Sequence, residues 1–156
     1  MTTGDFTSVQ LLEHEATSVF EELNREIVIE VGNRAASIGV DRSHPITISI
    51  ELDGEEVFRQ ALPGASDEHA GWITRKSRVV NLTQHSTMYE RVKAEEDGID
   101  WHEKHGVVDE THAIHGGGFP LRTADGQFRG VLLISGLPQV EDHIFAVEVL
   151  QQKNFD

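Results

Sequence analysis

Residues 46–62, ITISIELDGEEVFRQAL, have the pattern of a β-hairpin. The first half alternates apolar and polar residues, as expected of a strand that buries one face. Asp53-Gly54 follows, and this dipeptide favours a two-residue hairpin turn because both residues tolerate positive φ angles. Residues 57–62 then supply the returning strand. The stretch therefore predicts two antiparallel strands joined by a tight turn.

A second hairpin is predicted nearer the end of the chain. Residues 119–123 form its first strand, the sequence ADG at residues 124–126 its turn, and residues 128–135 its second strand. The second strand contains the unbroken apolar run VLLI, which is typical of a central strand. The glycine run at residues 116–118 precedes this hairpin and does not open a helix, so it does not match the dinucleotide-binding glycine motif.

Helices are predicted around both hairpins. Between Val9 and Ile38 apolar residues recur at spacings of three and four, which predicts one long amphipathic helix that ends near Gly39. Locally joined strands with helices between them favour an antiparallel sheet covered by helices, an α+β architecture. Three further helices are predicted: one capped by Ser66 or Asp67, one capped by Ser86, and one over residues 140–152.

The composition is that of an acidic, cysteine-free globular chain. Its 156 residues include 13 Lys and Arg against 27 Asp and Glu, which gives a net charge of −14 with His neutral. This length predicts a single domain over residues 1–156, and the charge argues against nucleic acids and anionic membranes as partners. Without cysteine there are no disulfides and no thiolate ligands. No export signal is recognisable, so a cytoplasmic location is expected.

The run Gly116-Gly117-Gly118 is the most unusual local feature of the sequence. Three residues without Cβ let another group approach the backbone closely, which suits the wall of a pocket. The alternative is a flexible turn whose glycines adopt positive φ. His115 precedes the run and Phe119-Pro120 follows it, and these flanking residues favour the interpretation as a pocket wall.

Residues 99–111 lack clear periodicity and are interpreted as a surface excursion, and four of the nine His fall within or just after this segment. His102 and His105, like His112 and His115, are three residues apart, a spacing that places both rings on one face of a helix. Such pairs could hold a divalent metal, with His112 and His115 as the candidate ligands, or an axial haem position. Alternatively, the rings simply face water. His143 is interpreted as a surface or capping residue.

Positive charge is concentrated on the predicted helix capped by Ser66 or Asp67, where Trp72 is followed by Arg75, Lys76 and Arg78. These side chains could clamp a carboxylate or phosphate. The alternative is that they pair with the many acidic residues of the chain, within it or across a subunit interface. Neither Ser77 nor Ser135 has an evident neighbouring base, so a serine nucleophile is not predicted.

Several motifs in combination resemble a known family, and the resemblance covers essentially the whole chain. The sequence is similar to a bacterial and fungal branch of the haem-degrading, HbpS-like superfamily. The resemblance implies a profilin-like fold, with a central antiparallel sheet flanked by helices, and assembly into higher homo-oligomers. The motifs that carry it are WITRK at residues 72–76, HGGGFP at residues 115–120, VLLISGLPQ at residues 131–139 and EDH at residues 141–143.

Two functions are compatible with these observations. The first is a small-molecule binding protein whose ligand is haem or a related tetrapyrrole, with haem degradation as its catalytic variant. The second is a non-catalytic adaptor whose acidic surface keeps a large homo-oligomer in solution and one face of which recruits a partner. For the first, the expected ligand-binding residues are Trp72, Arg75, Lys76, His115, Gly116, Gly117, Gly118, Pro120 and Ser135.

Overall fold

The computed structural model describes residues 3–151 and consists of a four-stranded sheet with helices on both faces. Within these residues no helix is both long and apolar enough to cross a membrane. The helices are α1 (Ser8–Ala16), α2 (Arg25–Asp41), α3 (Glu68–Thr83), α4 (Thr87–Asp97), α5 (Trp101–His105) and α6 (Gln139–Gln151). The strands are β1 (Thr47–Leu52), β2 (Glu55–Ala61), β3 (Gly118–Arg122) and β4 (Phe128–Ser135).

The sheet is antiparallel throughout and has the strand order β2-β1-β4-β3. Both predicted hairpins are confirmed, β1 with β2 and β3 with β4. The hairpins meet where β1 pairs with β4, with Ile48 opposite Ile134. Pro120 lies in β3 at the edge of the sheet, where a residue without an N–H donor is tolerated.

The alternation of side chains along β4 divides the core into two layers. Leu132 and Ile134 pack with α2 and α6 on one face of the sheet, together with the apolar residues of β1. Val131 and Leu133 point to the other face, where Ile73 and Val80 of α3 cover them. A strand buried on both faces needs an unbroken apolar run, which is the pattern that the sequence shows here. The α+β fold class is confirmed.

The prediction of one long helix over residues 9–38 is wrong, because the chain forms α1 and α2 with a break between them. In the break, Phe20 pairs with the sheet edge, since its N–H donates to Arg122 O at 2.9 Å. Asn24 then caps α2 by accepting from the N–H of Ile27. Gly39 does not end the helix; it lies inside α2, where a Cβ would come within 2.5 Å of Leu62.

Part of the segment predicted as a surface excursion packs into the core. Trp101 begins α5, is 3% exposed and donates from Nε1 to Glu90 at 2.9 Å. Ser86 caps α4 as predicted, whereas Asp67 precedes α3 without a side-chain capping bond. The final predicted helix is confirmed to Gln151, and residue 152 lies outside the described residues.

Candidate functional site

A cleft of about 260 Å³ lies between α3 and the start of α6, at the carboxyl end of β4. Three segments that are distant in sequence supply its walls: α3, the loop before β3, and the turn from β4 into α6. This position follows from the topology, since β4 is central and the turn after it must pass between the two helical layers. The lining residues are Glu68, His69, Trp72, Lys76, His115, Ser135, Gly136, Leu137, Gln139 and Asp142.

A buried ion pair forms the floor of the cleft. Lys76 is 2% exposed, and its Nζ donates to Ile134 O at 2.9 Å and to Asp142 Oδ2 at 3.3 Å. The other carboxylate oxygen of Asp142 accepts from the N–H of Leu137 at 3.0 Å. Burial raises the pKa of Asp142 to about 6 and lowers the pKa of Lys76, because both charged forms lose water. The pair ties α3 to the turn and to α6.

The aromatic wall of the cleft is built from Trp72 and His115, whose ring centroids are 4.7 Å apart. The guanidinium carbon of Arg75 lies 4.2 Å from the centroid of the Trp72 ring, and the same guanidinium group donates to the Asp109 carboxylate. Burial first, and then the neighbouring cation Arg91, lower the pKa of His115 to about 4. The imidazole is therefore neutral at neutral pH. One ring nitrogen can then donate a hydrogen bond, and the other has a free lone pair.

The glycine run packs tightly behind the cleft. Gly117 has a φ of +125°, and a Cβ there would lie 2.2 Å from Ile134 O and 2.8 Å from Lys76 Nζ. A Cβ on Gly116 would lie 2.2 Å from Gln139 O, and one on Gly118 would lie 2.9 Å from Thr87. The glycines are thus required by close packing of the backbone beside the Lys76 floor, more than by flexibility of a turn.

The structure brings four of the predicted ligand residues to one place and leaves the others around it. Trp72, Lys76, His115 and Ser135 line the cleft. Arg75 adjoins it through Trp72, and Gly116–Gly118 lie behind it. Pro120 lies in β3 opposite Val131 and is not among the lining residues.

The basic residues of α3 make contacts inside the chain, in keeping with the alternative of internal pairing. Arg75 donates from Nε to Asp109 O and from Nη2 to its carboxylate, each at 2.8 Å. Arg78 donates to Thr111 O at 3.2 Å. Arg75 and Lys76 therefore pair with acids of the same chain, Asp109 and Asp142, whereas the contact of Arg78 is with a backbone carbonyl.

The four His of the 102–115 stretch do not converge. His102 donates to the backbone oxygen of His112 at 2.7 Å, while His105 contacts the Trp101 ring. Across residues 3–151 no group of three or more His, Asp or Glu is arranged to hold a metal ion. A metal role for His112 and His115 stays a prediction from spacing alone.

The interpretation of His143 as a surface or capping residue is wrong. His143 is fully buried, with Nε2 3.1 Å from His14 Nδ1 and with Phe6 and Phe119 around the ring. Burial, followed by the proximity of His14, lowers its pKa to about 3. The error arises because α6 buries residues on several sides, so its apolar periodicity does not reveal which polar residues face inwards.

Sequence reasoning also missed part of the cleft. The residue that organises the floor, Asp142, stands in a motif that the sequence singles out, but its partner Lys76 is 66 residues away. The sequence signal for this part of the cleft was the Gly-Leu-Pro turn before α6, because the N–H of Leu137 in that turn donates to the Asp142 carboxylate. The remaining missed lining residues are Glu68, His69, Gly136, Leu137 and Gln139.

This chain is similar in sequence or in fold to several known proteins over most of its length. A UPF0303 protein of Streptomyces coelicolor is 32% identical over 146 residues, covering 94% of this chain and 92% of the relative. The crystal structure of the Ybr137w protein matches with a TM-score of 0.86 and 26% identity, covering 94% of this chain and 87% of that one. A PduOC:haem complex matches in fold, with a TM-score of 0.69 and 20% identity, over 82% of this chain and 92% of that one.

The family comparison matches residues 23–151, which contain β1 to β4 and every residue that lines the cleft. The matching family is described as "Haem degrading protein HbpS-like". The match agrees with the sheet and helix arrangement found in the structure. This chain belongs to the HbpS-like family.

Proposed function

We propose that this protein binds a small molecule in the cleft between α3 and α6. The observation that carries the proposal is the set of polar groups that face the cleft without a protein partner. In the described part of the chain, Ser135 Oγ, Gln139 Nε2 and the His115 ring nitrogens make no hydrogen bond to protein atoms. A small concave site with a few convergent polar groups is the usual form of a ligand site.

Haem is the second, more specific candidate, favoured by the family description and by the haem complex among the structural neighbours. His115 suits such a ligand because a neutral imidazole can bind iron. The rest of the site suits it less well. The cleft volume of about 260 Å³ is below the roughly 300–1,000 Å³ of common ligand pockets, and the lining supplies one Lys or Arg, Lys76, for the two propionates. These residues fit the iron better than they fit the macrocycle and its propionates.

A haemin titration followed by absorbance tests this candidate. If His115 binds the iron, the wild-type protein gives a saturable Soret shift that His115→Ala loses. The matched control His105→Ala removes a ring from α5, outside the cleft lining, and should keep the shift. A shift of equal size in His115→Ala would contradict coordination by this residue.

The same samples extend the test to catalysis and to the adaptor function. Loss of haem absorbance under reductant and oxygen, absent in His115→Ala, would support degradation. If neither haemin nor a panel of small metabolites perturbs the fluorescence of Trp72, ligand binding in the cleft is contradicted. The non-catalytic homo-oligomeric adaptor would then be preferred, and its mass can be measured by light scattering.

A further inference from the structure

We infer that the cleft selects a compact monocarboxylate. This inference rests on the proposed function and specifies its ligand class. It follows from three features of the described residues: the buried cation Lys76, the free hydrogen-bond donors, and the size and apolar wall of the cleft.

The cleft holds one buried cation, Lys76, in a chain whose net charge is −14. Arg75 and Arg91 also lie near His115, but each is paired with an acid, Arg75 with Asp109 and Arg91 with Glu95. Asp142 is already satisfied, since its carboxylate accepts from Lys76 and from the backbone of the turn. An anion in the cleft would therefore meet Lys76, the one Lys or Arg among the lining residues.

Free donors converge on the same volume. The ammonium group of Lys76 has three N–H bonds, and the described residues supply two acceptors, Ile134 O and Asp142. Gln139 Oε1 accepts from the N–H of Gly116 at 3.2 Å, which fixes the amide so that its NH₂ group is left for a ligand. Ser135 adds a hydroxyl group. Charge-assisted bonds from such donors suit the two oxygens of a carboxylate.

The dimensions and the apolar wall restrict the rest of the ligand. About 260 Å³ accommodates a molecule smaller than the drug-sized ligands of typical pockets. Trp72 and Leu137 offer an apolar surface to a short hydrocarbon chain. Glu68 is exposed at the start of α3 and lines the same cleft, so a second negative charge on the ligand would be repelled. A monoanion fits better than a phosphate dianion.

Isothermal titration calorimetry tests the inference with acetate, propionate and lactate as probes. Lactamide is the matched uncharged ligand, and inorganic phosphate is the competing anion. We expect saturable binding of the carboxylates and at least about tenfold weaker binding of lactamide and phosphate, because the amide lacks the charge that the donors recognise. Trp72 fluorescence should change with the same saturation.

The variant Gln139→Glu isolates the donor. It keeps an oxygen to accept from Gly116 but replaces the NH₂ donors with negative charge, so carboxylate affinity should fall by about tenfold or more. Gln60→Glu, on the exposed face of β2, adds the same charge away from the cleft and should bind like the wild type. Ser135→Ala is a second variant that adds no charge. Thermal unfolding confirms that each variant is folded.

The outcomes separate the inference from the proposed function. Binding of lactamide or phosphate as tight as that of the carboxylates, or unchanged affinity in both Gln139→Glu and Ser135→Ala, overturns carboxylate selection. Small-molecule binding would still stand, provided that a probe perturbs Trp72. If neither these probes nor haemin binds, both proposals fail.

Discussion

At the scale of single residues, the buried imidazole of His143 makes stability depend on pH. Its pKa is about 3 in the folded chain, against about 6.5 in an unfolded chain. Below pH 6.5 the unfolded state therefore binds a proton that the folded state does not, and the folded state loses stability as the pH falls toward 3. The loss approaches about 1.4 kcal/mol per pH unit for one proton.

The variant His143→Phe tests this dependence. Phe keeps an aromatic ring beside Phe6 and Phe119 and cannot titrate, so the fall in unfolding free energy between pH 6 and pH 4 should become shallower by nearly one proton. Urea denaturation at several pH values measures the slope. His105→Phe, which changes a partly exposed ring in α5, is the control and should keep the wild-type slope. Equal slopes for all three proteins would contradict the assignment.

At the scale of elements, Gly117 of the glycine run and Gly126 of the turn between β3 and β4 differ in how closely other atoms approach them. Gly117 and Gly126 both have positive φ, +125° and +88°, but a Cβ meets Ile134 O only at Gly117. Gly126→Ala should therefore cost only the backbone strain, about 1–2 kcal/mol. Gly117→Ala must also move β4 away from the loop, so a loss above about 3 kcal/mol is expected in urea denaturation. Similar losses of unfolding free energy in the two variants would show that β4 and the glycine loop can separate at little cost in free energy.

The elements also show which parts of the structure a sequence can predict. Hairpins such as β1-β2 were predicted because alternation and an Asp53-Gly54 turn are local properties. The break between α1 and α2 was missed because it depends on Phe20 pairing with the distant edge strand. In the site, Trp72 and Lys76 were predicted because the sequence concentrates an aromatic and several basic residues within one short helical segment. Asp142 was missed because a contact with α3 determines its role.

At the scale of the whole molecule, the ion pair between Lys76 and Asp142 connects the two helical layers around the end of β4. Lys76 belongs to the layer formed by α3, and Asp142 to α6 in the opposite layer. Both are 2% exposed, so removal of one partner leaves a charge in the interior without its counter-ion. Such losses are typically about 3–5 kcal/mol, whereas replacing both partners by apolar residues is often nearly neutral.

A double-mutant cycle tests whether this pair couples the layers. Lys76→Met and Asp142→Leu should each destabilise the fold by about 3 kcal/mol or more in urea denaturation. The double variant should be more stable than either single variant, because no isolated charge remains and the apolar side chains can fill the floor. Additive losses would mean that the hydrogen bonds to Ile134 O and to the N–H of Leu137 contribute independently of the pair. Since the double variant also lacks the Lys76 ammonium group, it should lose carboxylate binding while remaining folded, which separates the structural role of the pair from its role toward the ligand.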